Sequence, residues 1–324
     1  MYNKGEVIKM KKFIAVTLII LITASLFGCS QDYLQNYKEA VEKTESRKSG
    51  KEKIAINIEN EFNEENISQE ILEELNYLKN IQVEMTTSFN ENKDESKLYI
   101  KYRGLGYDLT IFSSDEEILV YIPMIGKYIK LNEENLGLDE NNIEELEDLE
   151  NLSSKIQNEW LELLQKEDVV KGKRDIMTTK DGDVKVDKYT IEPSEEQLRL
   201  FFKKIFAILR SEEENLSKLI KNQKEDVDIV KIIDNIEKTF EKFEIITFKD
   251  EAYIDIDGYI VKEYIDVTIE DYDPEPGSNS KISVNVEIEN WENELEQRIE
   301  IPEIDEEDII NTENINDDFQ KFLD

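Results

Sequence analysis

The sequence contains no histidine, and Cys29 is its single cysteine among 324 residues. Zinc sites built from His and Cys, Ser-His-Asp triads, cysteine nucleophiles and structural disulfides are therefore excluded. The phosphate-binding pattern GxxxxGK[ST] and the nucleophile elbow GxSxG are also absent from the sequence. We therefore expect no enzymatic activity, no bound metal and no cofactor, and a fold stabilised by its apolar core alone.

Basic residues are scarce in this chain. It has 40 Lys and Arg against 76 Asp and Glu, a formal net charge of −36. Because residues 1–28 hold four Lys and one Glu, the remaining chain has 36 basic and 75 acidic residues and a net charge of −39. Such a charge repels nucleic acids and anionic lipid headgroups. With 39% hydrophobic residues, the chain nevertheless has enough apolar surface to form a core in one or two domains.

The N-terminal segment has the pattern of a secretory signal. Lys9, Lys11 and Lys12 precede an apolar run over 13–27, and Gly28-Cys29 closes it. A membrane span needs ~20 apolar residues, so a permanent transmembrane helix is the weaker interpretation. The segment resembles the lipobox of bacterial lipoproteins, which implies that residues 1–28 are removed and that Cys29 carries the lipid. We therefore expect an N-terminal lipid anchor on the outer face of the cytoplasmic membrane, with Met10 a more typical start for such a signal than Met1.

Residues 29–53 are predicted to be the lipidated cysteine and a tether. Tyr33, Leu34, Tyr37 and Val41 recur at helical spacing, so a short amphipathic helix is expected, followed by the polar stretch ESRKSGKEK. A plain spacer is favoured here over a helix that recognises a partner.

From residue 54 onward, apolar and polar residues alternate with the period of a β-strand. Ile54, Ile56 and Ile58 begin the pattern, and short polar turns separate the segments that follow it. The further strands are predicted near residues 81–89, 98–102, 107–111, 118–122 and 128–131. The intervening residues 67–79 have helical spacing. The first part of the domain is therefore predicted to be an antiparallel meander with one apolar face.

The centre of the chain changes to helical periodicity. Ser194 and Gln197 form a capping-box sequence at the start of one predicted helix. Helices are predicted over 133–166, 194–210 and 226–242, and strands over 168–192, 243–256, 259–270, 281–291 and 294–301. Antiparallel hairpins with helices inserted between them indicate an α+β fold. The last residues, 303–324, are predicted to be an acidic tail.

The order of elements resembles that of bacterial envelope lipoproteins of the LolA/LppX-like superfamily, in particular its poorly characterised Gram-positive branch. The resemblance covers residues 54–302 and is carried by the lipobox, by the meander YIKYRGLGYDLTIFSSDEEILVYIPMIGKYIKL and by the ending KISVNVEIENWENELEQRIEIP. It implies a curved antiparallel sheet, an incomplete barrel, with the central helices on its concave face. It also implies a lipid or other hydrophobic ligand held between the sheet and the helices.

A cavity of this kind needs bulky apolar side chains around it. The candidate lining residues are Trp160, Phe201, Phe202, Ile205, Phe206, Phe240 and Phe243. For any one of them, filling the core is the commoner role. The alternative function is therefore an interaction or sensor lipoprotein in which the same fold is a solid acidic scaffold. Acidic runs and the turns Asp181-Gly182 and Asp257-Gly258 are interpreted as solvated surface and hairpin turns rather than calcium sites. The sequence does not identify a protein partner.

Overall fold

The computed structural model describes residues 32–114, 117–131, 143–213 and 229–310. Its largest element is one antiparallel sheet of eleven strands. The strands are β1 (Gly50–Phe62), β2 (Asn80–Asn90), β3 (Lys93–Tyr102), β4 (Leu105–Ser114), β5 (Ile118–Ile122), β6 (Lys127–Leu131), β7 (Val169–Thr179), β8 (Gly182–Ile191), β9 (Glu244–Asp255), β10 (Ile260–Glu270) and β11 (Asn279–Trp291).

The order of strands across the sheet is β6-β5-β4-β3-β2-β1-β11-β10-β9-β8-β7. Two meanders therefore meet in the middle of the sheet, where β1 pairs with β11. The sheet is curved, and it does not close into a barrel because β6 and β7 are its two edges. The predicted α+β class with an unclosed antiparallel sheet is confirmed.

Five helices accompany the sheet in the described part of the chain. They are α1 (Tyr33–Glu45), α2 (Gln69–Leu78), α3 (Ile143–Leu163), α4 (Glu195–Ser211) and α5 (Ile229–Lys242). Helix α3 contacts α4, α4 contacts α5, and α1 contacts β7 and β10. The capping box predicted at Ser194 is present, with the hydroxyl accepting from the Gln197 N–H at 3.3 Å.

The strand register places the apolar residues of the alternating pattern on one face of the sheet and the polar residues on the other. Ile54 pairs with Ile288 on one side and with Met85 on the other, so apolar residues of neighbouring strands stand on the same face. Helix α1 packs on this face, where its buried Tyr37 and Val41 belong to the same cluster as Ala252 and Ile254 of β9. This side of the sheet is the inner face.

Helix α1 forms where the helical spacing predicted it, but it is a part of the core and not a tether. Tyr37 is 2% exposed and Ala40 is 3% exposed. The N-terminal end of α1 is capped by Asp32, whose carboxylate accepts from the Gln35 N–H at 3.2 Å. Since β1 already begins at Gly50, the predicted domain start at residue 54 lies inside the folded part of the chain.

The strand predicted over 294–301 is absent. Glu292 and Glu294 have φ angles of 51° and 59°, in the left-handed region, and two such residues only one position apart break the pleat of a strand. The chain instead continues irregularly to the edge of the sheet. There the Ile310 N–H donates to the Tyr128 carbonyl at 2.8 Å, so the first residues of the predicted acidic tail pack on β6.

Candidate functional site

A cavity of about 480 Å³ lies between the helices and the inner face of the sheet. Its walls come from α1, α3 and α4 on one side and from β1, β9, β10 and β11 on the other. The apolar lining residues are Val41, Ile54, Ile156, Trp160, Phe201, Phe248, Ile260, Ile265 and Ile288. The volume is within the range of ~300–1,000 Å³ that is typical of small-molecule sites, and the apolar walls are typical as well.

Two acidic residues lie in this apolar lining because of their positions in β9 and β10. Asp250 belongs to the inward-facing series of β9 that also includes Phe248 and Ala252. In the register of β9 and β10, Asp250 pairs with Ile265 and Glu263 pairs with Ala252. The two acids are therefore diagonal neighbours on the inner face. Together they form the polar floor of the cavity.

Tyr37 of α1 supplies the hydrogen-bond donor at the floor. Its hydroxyl lies 3.2 Å from Asp250 Oδ2 and 3.3 Å from Glu263 Oε1, so one hydroxyl hydrogen serves two carboxyl groups. Trp160 Nε1 of α3 lies 3.5 Å from the Tyr37 hydroxyl, at the outer limit of a hydrogen bond. Tyr37 thus joins one helix of the cavity wall to two strands of the sheet.

Asp250 is buried without a full set of partners. Its exposed fraction is 2%, and its Oδ1 has no hydrogen-bond partner among the described residues. After burial, the pKa of Asp250 is raised most by the charge of Glu263 and by a hydrogen bond between the two carboxyl groups. A buried acceptor without a donor is destabilising, and native proteins contain few of them.

Burial changes the protonation of the whole floor. It raises the pKa of Asp250 well above its ordinary value, and the charge of Glu263 beside it raises that pKa further. Burial likewise raises the pKa of Glu263. The pKa of Tyr37 is raised by burial and then by the two acids, so its hydroxyl stays neutral and acts as a donor. The two acids titrate as a pair that holds on to a proton.

The buried Arg47 contacts residues that line the cavity, and its charge is already paired. Arg47, whose side chain is 4% exposed, lies 3.4 Å from Glu52 Oε2 and donates to Asn290 Oδ1 at 2.9 Å. Glu52 and Asn290 line the cavity, as does Glu45 of α1. Arg47 therefore neutralises Glu52 and does not pair with Asp250 or Glu263.

The structure divides the predicted lining residues into two groups. Trp160 and Phe201 line the cavity, together with Phe248, which the sequence analysis did not single out. Phe202, Phe206 and Phe240 instead pack with Ile229 and Ile233 in a separate cluster between α4 and α5. Ile205 is half-buried on α4.

The two groups are connected by a series of ring contacts. Trp160 lies 5.4 Å from Phe248 and 5.3 Å from Phe201, measured between ring centroids. Phe201 is followed by Phe202 at 5.8 Å, and Phe202 by Phe240 at 4.5 Å. The aromatic side chains therefore form one continuous row from the cavity into the helix cluster. Only the first part of that row borders the cavity.

Phe243 lies elsewhere, at the junction of α5 and β9. It is 2% exposed and borders a smaller cavity of about 260 Å³. That cavity is also lined by Phe240, Ile236, Ile269 and Ile282. Cys29, the predicted lipidation site, lies outside the described residues.

The sequence analysis missed Tyr37, Asp250 and Glu263. The signal for the two acids was present, because each acid occupies an inward position in a strand that is otherwise apolar at alternate residues. In β9 the series is Phe248, Asp250, Ala252, Ile254, and in β10 it is Val261, Glu263, Ile265, Val267. Tyr37 was noted only as part of a helical stripe.

Within the described ranges, no group of three or more acidic, His or Cys side chains is placed to hold a metal ion. In the same part of the chain, no helix is both long and apolar enough to span a bilayer.

No protein-family model matches the chain, and no curated protein matches it. Among solved structures, the crystal structure of the LolA superfamily protein NE2245 from Nitrosomonas europaea is a weak match. It is 8% identical, with a TM-score of 0.19, and the match covers 84% of this chain and 94% of the other.

Proposed function

We propose that this protein is a non-enzymatic lipoprotein that binds a lipid or another hydrophobic ligand between its sheet and its helices. The observation that carries the proposal is the apolar cavity of about 480 Å³ under α1, α3 and α4. A chain that enters such a cavity gains ~0.8 kcal/mol for each CH₂ group removed from water. Ile54, Ile265 and Ile288 offer a continuous apolar surface for it on three adjacent strands.

We also propose that the protein is anchored by lipid on Cys29 at the outer face of the cytoplasmic membrane. The support is the sequence of residues 9–29, with its basic start, its apolar run and its closing Gly28-Cys29. A double acyl anchor is strong enough for stable attachment, whereas a single chain is not. Metabolic labelling with a palmitate analogue tests this point, and label that persists in Cys29→Ser contradicts it.

Native mass spectrometry of the full chain, released from neutral detergent, tests the ligand proposal. We expect wild type to carry additional mass from a co-purified hydrophobic molecule. Ile54→Trp, which fills the cavity from β1, should lose that mass. Ile58→Trp is the matched control, because Ile58 lies further along the same strand and does not line the cavity.

A bare mass for wild type and for both variants would contradict ligand binding. It would favour the other function considered from the sequence, a scaffold that presents an acidic surface to a partner. Equal loss of ligand from both variants would show that the bound molecule sits outside this cavity.

A further inference from the structure

The floor of the cavity is more informative about the ligand than its walls. The walls accept any hydrocarbon, but the floor presents the unpartnered Oδ1 of Asp250, a side chain that is 2% exposed. From the unoccupied acceptor and the absence of a described cation at the floor, we propose that the ligand is an amphiphile with a primary amine head group, bound by Asp250 and Glu263. This inference rests on the proposed function and specifies its ligand.

Three kinds of head group differ in how well their hydrogen-bond donors, acceptors and charge match the groups of the floor. A carboxylate head has only acceptors, and it would place a further negative charge beside Asp250 and Glu263. A hydroxyl head offers one donor hydrogen and no charge. A primary ammonium head offers three donor hydrogens, and its positive charge compensates the buried acids.

The positions of the polar groups fit the ammonium head best. The Tyr37 hydroxyl already donates its single hydrogen to Asp250 Oδ2 and Glu263 Oε1, so these oxygens converge on one side of the floor. Asp250 Oδ1 accepts no N–H or hydroxyl hydrogen from the described residues. The hydrogen bond between the two carboxyl groups is lost with their retained proton, so an ammonium head that replaces this proton has both acids to donate to. Hydrogen bonds from a charged donor to a carboxylate are shorter and stronger than neutral ones.

The charged groups around the cavity favour a cation as well. Glu45 comes from α1, Glu52 from β1, Asp250 from β9 and Glu263 from β10. The lining residues of α3 and α4 are uncharged, namely Ile156, Gln157, Trp160 and Phe201. Arg47 donates to Glu52 and Asn290 of the lining and to Asn293 outside it. The described residues that line the cavity therefore include four acids and no Lys or Arg, and the chain as a whole has a net charge of −36.

Binding of an amine at this floor should depend on pH. Since the free acid pair retains a proton, an ammonium head must displace that proton when it binds. An alkyl amine keeps its own charge until the pH approaches ~10. Amine binding should therefore strengthen as the pH rises through the raised pKa of the acid pair, while the binding of a neutral alcohol of equal length should depend less on pH.

Three probes of equal chain length test the proposal on the full chain in a bulky neutral detergent: tetradecylamine, tetradecanol and tetradecanoate. The bound fraction of each is measured by titration in native mass spectrometry. We expect the amine to bind about tenfold to a hundredfold more tightly than the alcohol, because a hydrogen bond to a charged group adds ~1.5–3 kcal/mol. The carboxylate should bind most weakly.

Asp250→Asn and Glu263→Gln should each remove most of the preference for the amine over the alcohol. Asp266→Asn is the matched control, because Asp266 is an exposed residue of β10 that contacts Asn285 at 2.7 Å. Circular dichroism of each variant establishes that it is folded. If one of the two cavity variants does not fold, the other still tests the preference for the amine.

The outcomes separate this inference from the proposed function. Equal binding of amine and carboxylate, or an amine preference that survives in a folded cavity variant, overturns the inference while the cavity remains a binding site. Failure of all three probes to bind wild type overturns the proposed function, and the inference with it.

Discussion

Two neighbouring strands of the sheet hold a buried or half-buried aspartate in opposite surroundings. Asp250 of β9 lies at the cavity floor, where no Lys or Arg is among the described lining residues, and burial raises its pKa. Asp187 of β8 accepts from Arg174 Nε and Nη2 at 2.8 Å each, and from Lys171 Nζ at 2.7 Å. Hydrogen bonds from Arg174 and then from Lys171 lower the pKa of Asp187 to about 2, against the opposing effect of burial.

The contrast shows what distinguishes a structural acid from a functional candidate in this protein. With 76 acidic residues in the chain, an acid is informative only through its surroundings. At the β7–β8 hairpin the charge of Asp187 is retained and stabilises the edge of the sheet. At the cavity floor the pair Asp250 and Glu263 retains a proton and leaves an acceptor unused, which is costly for the fold and useful for a ligand.

The largest effect should come from removing the helix residue that covers the floor. Tyr37→Ala is expected to lower the free energy of unfolding by ~3–5 kcal/mol, as for other large-to-small changes at buried aromatic positions. Tyr37→Phe keeps the ring and loses only the hydroxyl, so its cost should be nearer ~1–2 kcal/mol. Urea unfolding followed by circular dichroism measures both. Equal costs for the two variants would show that the hydroxyl, and not the packing of α1, dominates.

A second test uses pH to separate the two aspartates. The raised folded-state pKa of Asp250 means that its contribution to stability is present below the unfolded pKa near 4 and is lost as the pH rises through the folded pKa. Asp250→Asn should therefore raise the free energy of unfolding by roughly 1–3 kcal/mol near pH 8, with little change near pH 4. Urea unfolding at the two pH values is the measurement, and destabilisation near pH 8 would contradict the account.

The smallest effect should come from the paired aspartate, with the opposite dependence on pH. Because the pKa of Asp187 is lowered to about 2, its contribution is present above its unfolded pKa near 4 and is lost as the pH falls toward 2. Asp187→Asn should cost about 1 kcal/mol near pH 7, after allowance for solvent screening of the exposed Arg174, and almost nothing near pH 2. A double-mutant cycle with Arg174→Ala measures the coupling energy between Asp187 and Arg174. A coupling energy near zero at pH 7 would show that Asp187 is not stabilised by this pair and does not differ from Asp250 in that respect.

Much of the fold could be predicted because alternation and helical spacing are local signals. Ile54, Ile56 and Ile58 stand where the period of a strand places them, and Ser194 caps α4 as its sequence indicates. The predictions are wrong where the backbone is unusual or where a residue's environment is set by a partner that is distant in the sequence. The strand expected over 294–301 is prevented by positive φ angles at Glu292 and Glu294, which alternation does not reveal.

The site was predicted only in part for a related reason. Trp160 and Phe201 were found because aromatic side chains on helices are conspicuous, but no periodicity decides which of Phe201 and Phe202 faces the sheet. The floor depends on the register of β9 and β10 and on the irregularity in their pairing between Ile260 and Lys262. Such a register is a property of the assembled sheet, so Asp250 and Glu263 stood out only once the strands were paired.

If Cys29 carries the proposed lipid, the burial of α1 would limit how far the folded domain can move from the membrane. Only three residues separate Cys29 from Tyr33, the first residue of α1. Four fully extended residue steps reach about 14 Å, less than half the ~30 Å thickness of the hydrocarbon core of a bilayer. With a lipid on Cys29, the helix that carries Tyr37 would therefore stay next to the headgroups, and a ligand leaving the bilayer would have only a short distance to cross before reaching the cavity wall.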